Sequence, residues 1–200
     1  MNAYPLTLTA WVRTRETNST YRGIVERIAS SNTNGYTLIT RYGRVQAEYA
    51  RSATQYVRNG TEPLDGGFVA DGNWHHVAFV VDAGGGKLYV DGQLGASNAW
   101  TNAAGACTLD DYLSIGCWQA IPLAGALDEV TIWSTNRSQA QVQASMHQPL
   151  VGNEAGLLGY WRLDEGSGSN TVNSAATGAS FNGTLEYGPT WVVSGVPFAP

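Results

Sequence analysis

The sequence predicts an all-β fold, a two-sheet antiparallel jelly-roll sandwich with one short helix near residues 138–147. Three observations predict it. Apolar and polar residues alternate with period two in one segment after another, and these segments end at Gly, Asn or Asp. Charged residues are 14% of the chain against a usual ~25%, while 24 glycines and many Asn, Ser and Thr supply tight turns and a neutral polar surface. At 200 residues the chain is long enough for a full hydrophobic core, and 1–200 reads as a single domain.

The first strand runs from Leu6 to Arg13. Leu6, Leu8, Ala10 and Val12 share one face, Thr7, Thr9 and Arg13 the other, and Trp11 interrupts the polar face. Further strands are expected over 23–28, 35–41, 44–50, 74–82, 87–92, 112–118 and 127–133. Arg41-Tyr42-Gly43-Arg44 and Ala83-Gly84-Gly85-Gly86 read as hairpin turns, with glycine available for positive φ. Ser138 and Gln141 form a capping box, so a helix should start there, run to about His147 and stop before Pro149. Strand character returns over 157–163. Residues 165–184, rich in Gly, Ser, Asn and Ala, read as a long surface loop before a closing strand near Trp191.

Charge narrows the function classes. Residues 1–60 carry eight Arg and three Glu, whereas the remainder carries three basic and thirteen acidic residues. Such asymmetry fits a basic patch for an anionic partner, or arginines scattered along solvated strand edges. Lys87 is the sole lysine and no run of like charge occurs, which argues against nucleic acid. No apolar stretch reaches the ~18 residues that cross a bilayer, so membrane insertion is not expected. MNAYPLTLT lacks the basic and apolar regions of a signal peptide, and the chain is expected to be an excised module whose exported parent carries any signal. Cys107 and Cys117 flank TLDDYLSIG at a separation that neighbouring strand ends could close into a disulfide, and free buried thiols fit equally.

The order of landmarks is more informative than any one of them. Leu8-Thr9-Ala10-Trp11-Val12 is followed by Asp71-Gly72-Asn73-Trp74-His75-His76-Val77-Ala78, then by Lys87-Leu88-Tyr89-Val90-Asp91-Gly92. Leu113-Ser114-Ile115-Gly116 and Gly125-Ala126-Leu127-Asp128-Glu129-Val130-Thr131-Ile132-Trp133 come next, and then the helix. Leu158-Gly159-Tyr160-Trp161-Arg162-Leu163 and Pro189-Thr190-Trp191 look like closing strands. From about residue 6 to 193 this resembles the laminin-G-like, concanavalin A-like jelly roll, in its bacterial multi-domain, pentraxin-related branch. The resemblance implies two packed antiparallel sheets with ligand sites on a concave face or its rim. Relatives usually open with one more strand before the Ala-Trp-Val strand, and none precedes it here. Calcium is the usual metal among relatives, but the pentraxin-like position after Gly116 is filled by Cys117-Trp118-Gln119-Ala120, without an acid. No cofactor is required, and a structural calcium on Asp128 or Asp82 stays open.

Catalysis on such a fold needs two carboxylates on one strand face, as in a Glu-x-Asp run. None occurs. Asp128-Glu129, Asp110-Asp111 and Asp164-Glu165 are adjacent pairs whose side chains diverge along a strand. One of His75 and His76 should face inward as a buried histidine, and neither has a recognisable nucleophilic partner. Trp11, Trp74, Trp133, Trp161 and Trp191 fall in strand motifs and read as sandwich filling. Trp118, with Gln119, and Trp100, beside Asn98, lie outside them and are candidate sugar contacts. A second candidate interleaves Arg41, Tyr42, Arg44, Tyr49, Arg51, Tyr56 and Arg58, a pattern suited to an acidic polysaccharide. The plainer reading pairs these arginines with Glu48 and Glu62. The expectation is therefore a non-catalytic, lectin-like module binding a polysaccharide, acidic if the arginine pattern is the site, within an extracellular or cell-surface multi-domain protein. Its rivals are a protein-contact or spacer module meeting other domains of the parent, and, less favoured, a glycan hydrolase or lyase.

Overall fold

The computed structural model describes residues 1–29, 33–109, 111–176 and 181–198. Its strands are β1 (Leu6–Thr14), β2 (Arg22–Ile28), β3 (Gly35–Arg41), β4 (Arg44–Ser52), β5 (Gln55–Val57), β6 (Leu64–Phe68), β7 (His75–Asp82) and β8 (Gly85–Val90). They continue with β9 (Gln93–Asn98), β10 (Ser114–Ile115), β11 (Cys117–Trp118), β12 (Ile121–Pro122), β13 (Gly125–Trp133), β14 (Leu157–Trp161), β15 (Asn170–Thr171) and β16 (Gly183–Thr184). The helix α1 (Gln139–Ser145) lies between β13 and β14.

Two antiparallel sheets form the sandwich. The first has the spatial order β14-β13-β1-β7-β8-β9, and the second β10-β2-β3-β4-β5 with β6 also on β4. Period-two alternation explains the core between them. Leu6, Leu8, Ala10 and Val12 of β1 and Val77, Phe79 and Val81 of β7 meet Tyr36, Leu38, Val45, Ala47 and Tyr49 of the second sheet, all buried. The opposite face of the first sheet is also covered, which explains the apolar Trp11 among polar neighbours. There Ala78, Val80 and Tyr89 pack on Val142 of α1, and Trp11 lies edge-on to the buried His76. The capping box forms as the sequence predicts, with Ser138 Oγ accepting from the Gln141 amide and Gln141 Oε1 from the Ser138 amide. The helix ends at Ser145, slightly before the expected His147.

Several expectations fail for local reasons. The strand expected over 112–118 is broken at Gly116, whose φ of +73° turns the chain, so that β10 joins the second sheet while β11 leaves it to pair with β12. No strand forms near Trp191. Its indole donates to the Gly168 carbonyl at 3.1 Å, tying the segment down without a ladder, and within 165–184 two short strands pair instead of a plain loop. Trp74 and Trp191, expected as filling, are only half-buried.

The β11–β12 hairpin positions the site. Its two turn residues, Gln119 (φ +42°) and Ala120 (φ +68°), are both left-handed, a conformation that Asn-Gly adopts far more cheaply. Two contacts hold it down. The Gln119 amide donates to Glu26 Oε2 of β2 at 3.1 Å, and the Cys117 carbonyl passes so close to Gly23 that a β-carbon there would stand 2.0 Å from its oxygen. Burial beneath the hairpin pushes the Glu26 carboxyl up to about 7, against the pull of the Gln119 N–H.

Gly23→Ala is expected to lose about 1–3 kcal/mol from overpacking against backbone that cannot withdraw, read as a lower denaturation midpoint in urea. Because the folded-state pKa of Glu26 is raised, its folded form keeps a proton that the unfolded chain releases between about pH 4.5 and 7, so its ionisation opposes folding increasingly over that window. The melting temperature of Glu26→Gln relative to the parent should therefore shift in favour of Gln between pH 5.5 and pH 8. A difference that is flat with pH would contradict the burial of this carboxyl.

Candidate functional site

Glu26, Thr37 and Glu48 stand in one cross-strand row on the outer face of the second sheet. Glu26 pairs with Thr37, and Thr37 with Glu48. Because Tyr36, Leu38, Ala47 and Tyr49 point into the core, their neighbours Thr37 and Glu48 point out. With strands spaced at about 4.8 Å, the two acids are about 10 Å apart at their Cα atoms. The row is roofed rather than open. Trp118 descends from the β11 hairpin onto Ile28 and Ile39 and stacks on Tyr21 at a centroid distance of 5.4 Å.

Beside this roof lies a cleft of about 60 Å³ lined by Tyr21, Thr37, Ile39, Glu48, Arg58, Thr61, Pro63 and Trp118. Arg58 Nε meets Glu48 Oε2 at 2.6 Å, and that pair forms one wall. Burial raises the Glu48 carboxyl above its ordinary range, with the Arg58 charge pulling the other way. On the floor, the hydroxyl of Thr37, 1% exposed, has no hydrogen-bond partner. Outside the cleft lining, Gln46 Oε1 on β4, opposite Ile39, also has no hydrogen-bond partner. Buried polar atoms without partners are rare, so each marks a place where a ligand hydroxyl or water would be held. At roughly 10–15 Å³ per water, the cleft holds a few waters or the hydroxyl-bearing edge of a sugar ring, and not a whole ring.

An aromatic and arginine ladder leads outward from the cleft. The Arg41 guanidinium lies 4.2 Å from the Tyr21 ring centre and 4.7 Å from that of Tyr42, and donates to Tyr21 Oη at 2.7 Å. Tyr42 sits in the β3–β4 turn with φ of +54° and is half exposed, offering an open ring at the ladder's end.

The sequence candidates therefore separate. Arg41, Tyr42, Arg58 and Trp118 gather around the cleft. Trp118, a candidate sugar contact, is a buried wall of the cleft against which Tyr21 stacks. Gln119 contributes its amide to Glu26. Trp100 is not a surface platform either, since it packs edge-on to Tyr4 and Tyr49 and its indole donates to the Asp82 carbonyl at 2.7 Å. Tyr49 faces the core, stacked on Tyr36, and so leaves the arginine and tyrosine pattern. Arg51 reaches the Ala104 carbonyl and packs against Gly105. Arg44 pairs with Asp65 at 2.7 Å. Tyr56 lies under the Arg58 guanidinium, and Asn98 donates to the Arg58 carbonyl, so both buttress the Arg58 strand. Thr37, Gln46, Glu26 and Tyr21 were not singled out by sequence, because cross-strand register alone brings them together.

The remaining candidates lie elsewhere. Cys107 and Cys117 are both buried free thiols, Cys107 in the sandwich core and Cys117 against β2, so the disulfide alternative is not the one the fold adopts. Asp128 accepts from the Glu129 amide and the Ser194 hydroxyl, and Asp82 from the Gly84 amide and Asn136. Among the described residues no three His, Cys, Asp or Glu side chains converge. His76 is buried and His75 lies between Asp91 (2.8 Å) and Asp71 (3.1 Å). Asp110 lies outside the described residues. No helix among the described residues is long and apolar enough to cross a membrane.

Comparison with solved structures finds the same architecture at low identity. A Bacteroides ovatus protein described as a candidate carbohydrate binding protein matches with a TM-score of 0.63 at 20% identity, over 90% of this chain and 54% of its own. Domain 4 of AbnA, an extracellular arabinanase of Geobacillus stearothermophilus solved with arabinotriose, matches with a TM-score of 0.51 at 19% identity, over 72% of this chain and 67% of its own. The binding domain of botulinum neurotoxin serotype D matches with a TM-score of 0.54 at 18% identity, over 72% and 36%. The chain thus spans about half the length of the Bacteroides structure, and no curated protein matches it. Residues 1–143 match the Laminin_G_3 family, which together with the two-sheet jelly roll places the chain in the concanavalin A-like lectin/glucanases superfamily.

Proposed function

We propose that this chain is a non-catalytic carbohydrate-binding module that holds a glycan at the cleft beneath Trp118 and along the ladder to Tyr42. The observation that carries the reading is the unpartnered Thr37 hydroxyl on a cleft floor also furnished with a carboxylate and a guanidinium. Sugars bring hydroxyls that both donate and accept, and ring faces that pack on aromatics, which matches a polar floor ending in an exposed Tyr42 ring. Neighbouring structures described as carbohydrate-binding, and one solved with arabinotriose, support the same class.

Binding rather than bond cleavage suits the acids. Glu48 is held by Arg58, and Glu26 is buried under the hairpin as the acceptor of an amide, so neither reaches a glycosidic oxygen without displacing its partner. The surroundings of such a module are an extracellular or cell-surface protein with further domains.

Affinity electrophoresis and calorimetry on a panel of polysaccharides test this reading. Retention by at least one glycan is expected, without release of reducing ends. Thr37→Val, close to isosteric, should weaken binding about 5- to 10-fold, as for loss of about 1–1.5 kcal/mol of hydrogen bonding, with an unchanged melting temperature. Tyr42→Ala should weaken it similarly, whereas Tyr187→Ala, exposed on the C-terminal segment, should not. A folded protein retained by no glycan would refute the proposal.

A further inference from the structure

We infer that the ligand of this cleft is a neutral glycan and not an acidic one, an inference that rests on the carbohydrate-binding reading above. The arginine-rich N-terminal segment suggests a cationic surface, but the fold pairs the arginines of the site with acids. Arg58 meets Glu48 at 2.6 Å, Arg41 meets Glu62 at 3.3 Å and Arg44 meets Asp65 at 2.7 Å. Arg22, at the start of β2, meets Glu16 at 2.8 Å. Each of these four arginines thus stands against a partner acid. The face therefore carries no excess of positive charge, and an approaching uronate or sulfate finds no field to steer it.

Hydrogen-bonding character points the same way. The cleft offers the Glu48 carboxylate as an acceptor and the Thr37 hydroxyl, buried and without a partner, that can donate or accept. Acceptors must be met by donors. A neutral sugar hydroxyl donates to Glu48 and accepts from Thr37. A carboxylate or sulfate accepts only, so it offers Glu48 no donor and sets one anion beside another in a confined space. Displacing Glu48 to free Arg58 does not rescue it, because the Glu48 side chain is 5% exposed and would remain buried without its counter-ion.

The ladder extends the site for the same ligand class. Tyr21 and Tyr42 are both capped by one guanidinium, whose charge is already shared with Glu62, the Ser19 carbonyl and the Tyr21 hydroxyl. What remains for a ligand is the open ring of Tyr42 rather than a free fork of N–H donors. A chain of neutral sugars can place a hydroxylated edge in the cleft and a ring face on Tyr42.

The test is affinity electrophoresis of the full chain in gels containing arabinan, galactan, xylan or mixed-linkage β-glucan, and in parallel gels containing polygalacturonate, alginate or chondroitin sulfate, each at 20 mM and 300 mM NaCl. Retention by at least one neutral polymer is expected, with a dissociation constant changing less than two-fold between the two salts, and no retention by any anionic polymer. Retention by an anionic polymer at 20 mM that falls away at 300 mM would overturn the inference and leave the carbohydrate-binding reading standing. Retention by an anionic polymer at both salts would overturn it too. Absence of retention in every gel, from a protein that remains folded, would overturn the reading on which the inference rests.

Discussion

The register of β2, β3 and β4 is the constraint on which the rest depends. Once Tyr36, Leu38, Val45, Ala47 and Tyr49 are committed to the core, period-two alternation leaves Thr37, Gln46 and Glu48 no choice but the outer face, and pairing sets Glu26 in line with them. A slip by one residue would bury three polar side chains between the sheets and expose two tyrosines. The polar floor is therefore a by-product of core packing.

A floor of this kind needs a roof, and the roof carries strain. The β11–β12 turn adopts two consecutive left-handed residues without glycine or asparagine, at a cost of order 1 kcal/mol or more for each. That conformation is maintained from below by Glu26 and by close approach to Gly23. Here the first sheet differs from the second. Its outer face is covered by α1 over Ala78, Val80 and Tyr89, and beside that cover lies a smaller pocket lined by Trp11, His76, Glu129 and Phe198.

What was legible in the sequence follows from how local each signal is. The sandwich, the faces of β1, both glycine hairpins and the capped helix all rest on contacts within a few residues, and the resemblance to the laminin-G-like jelly roll rested on the order of such motifs. The break at Gly116 was hidden because Tyr112 to Trp118 keeps a strand-like composition while belonging to two different pairings. The site was legible only in part. Arg41, Tyr42, Arg58 and Trp118 stand out by residue type, but Thr37 and Gln46 are ordinary strand residues whose importance arises from lacking partners after folding. Trp100 and Tyr49 misled for the opposite reason, since aromatic residues outside recognised motifs can equally close the edge of a core. The N-terminal excess of arginine likewise says nothing about which acids will stand opposite.

The two thiols have a wider consequence. Cys107 is enclosed in the core and Cys117 lies beneath the hairpin, and burial raises both above the usual thiol range, so little reactive thiolate exists on either. Packing and hydrogen bonds alone close this sandwich, with no covalent cross-link among its cysteines. Its stability is thus decoupled from redox poise: reductant has no bond to break and mild oxidant finds no accessible nucleophile, so the same cleft forms in reducing and oxidising surroundings alike.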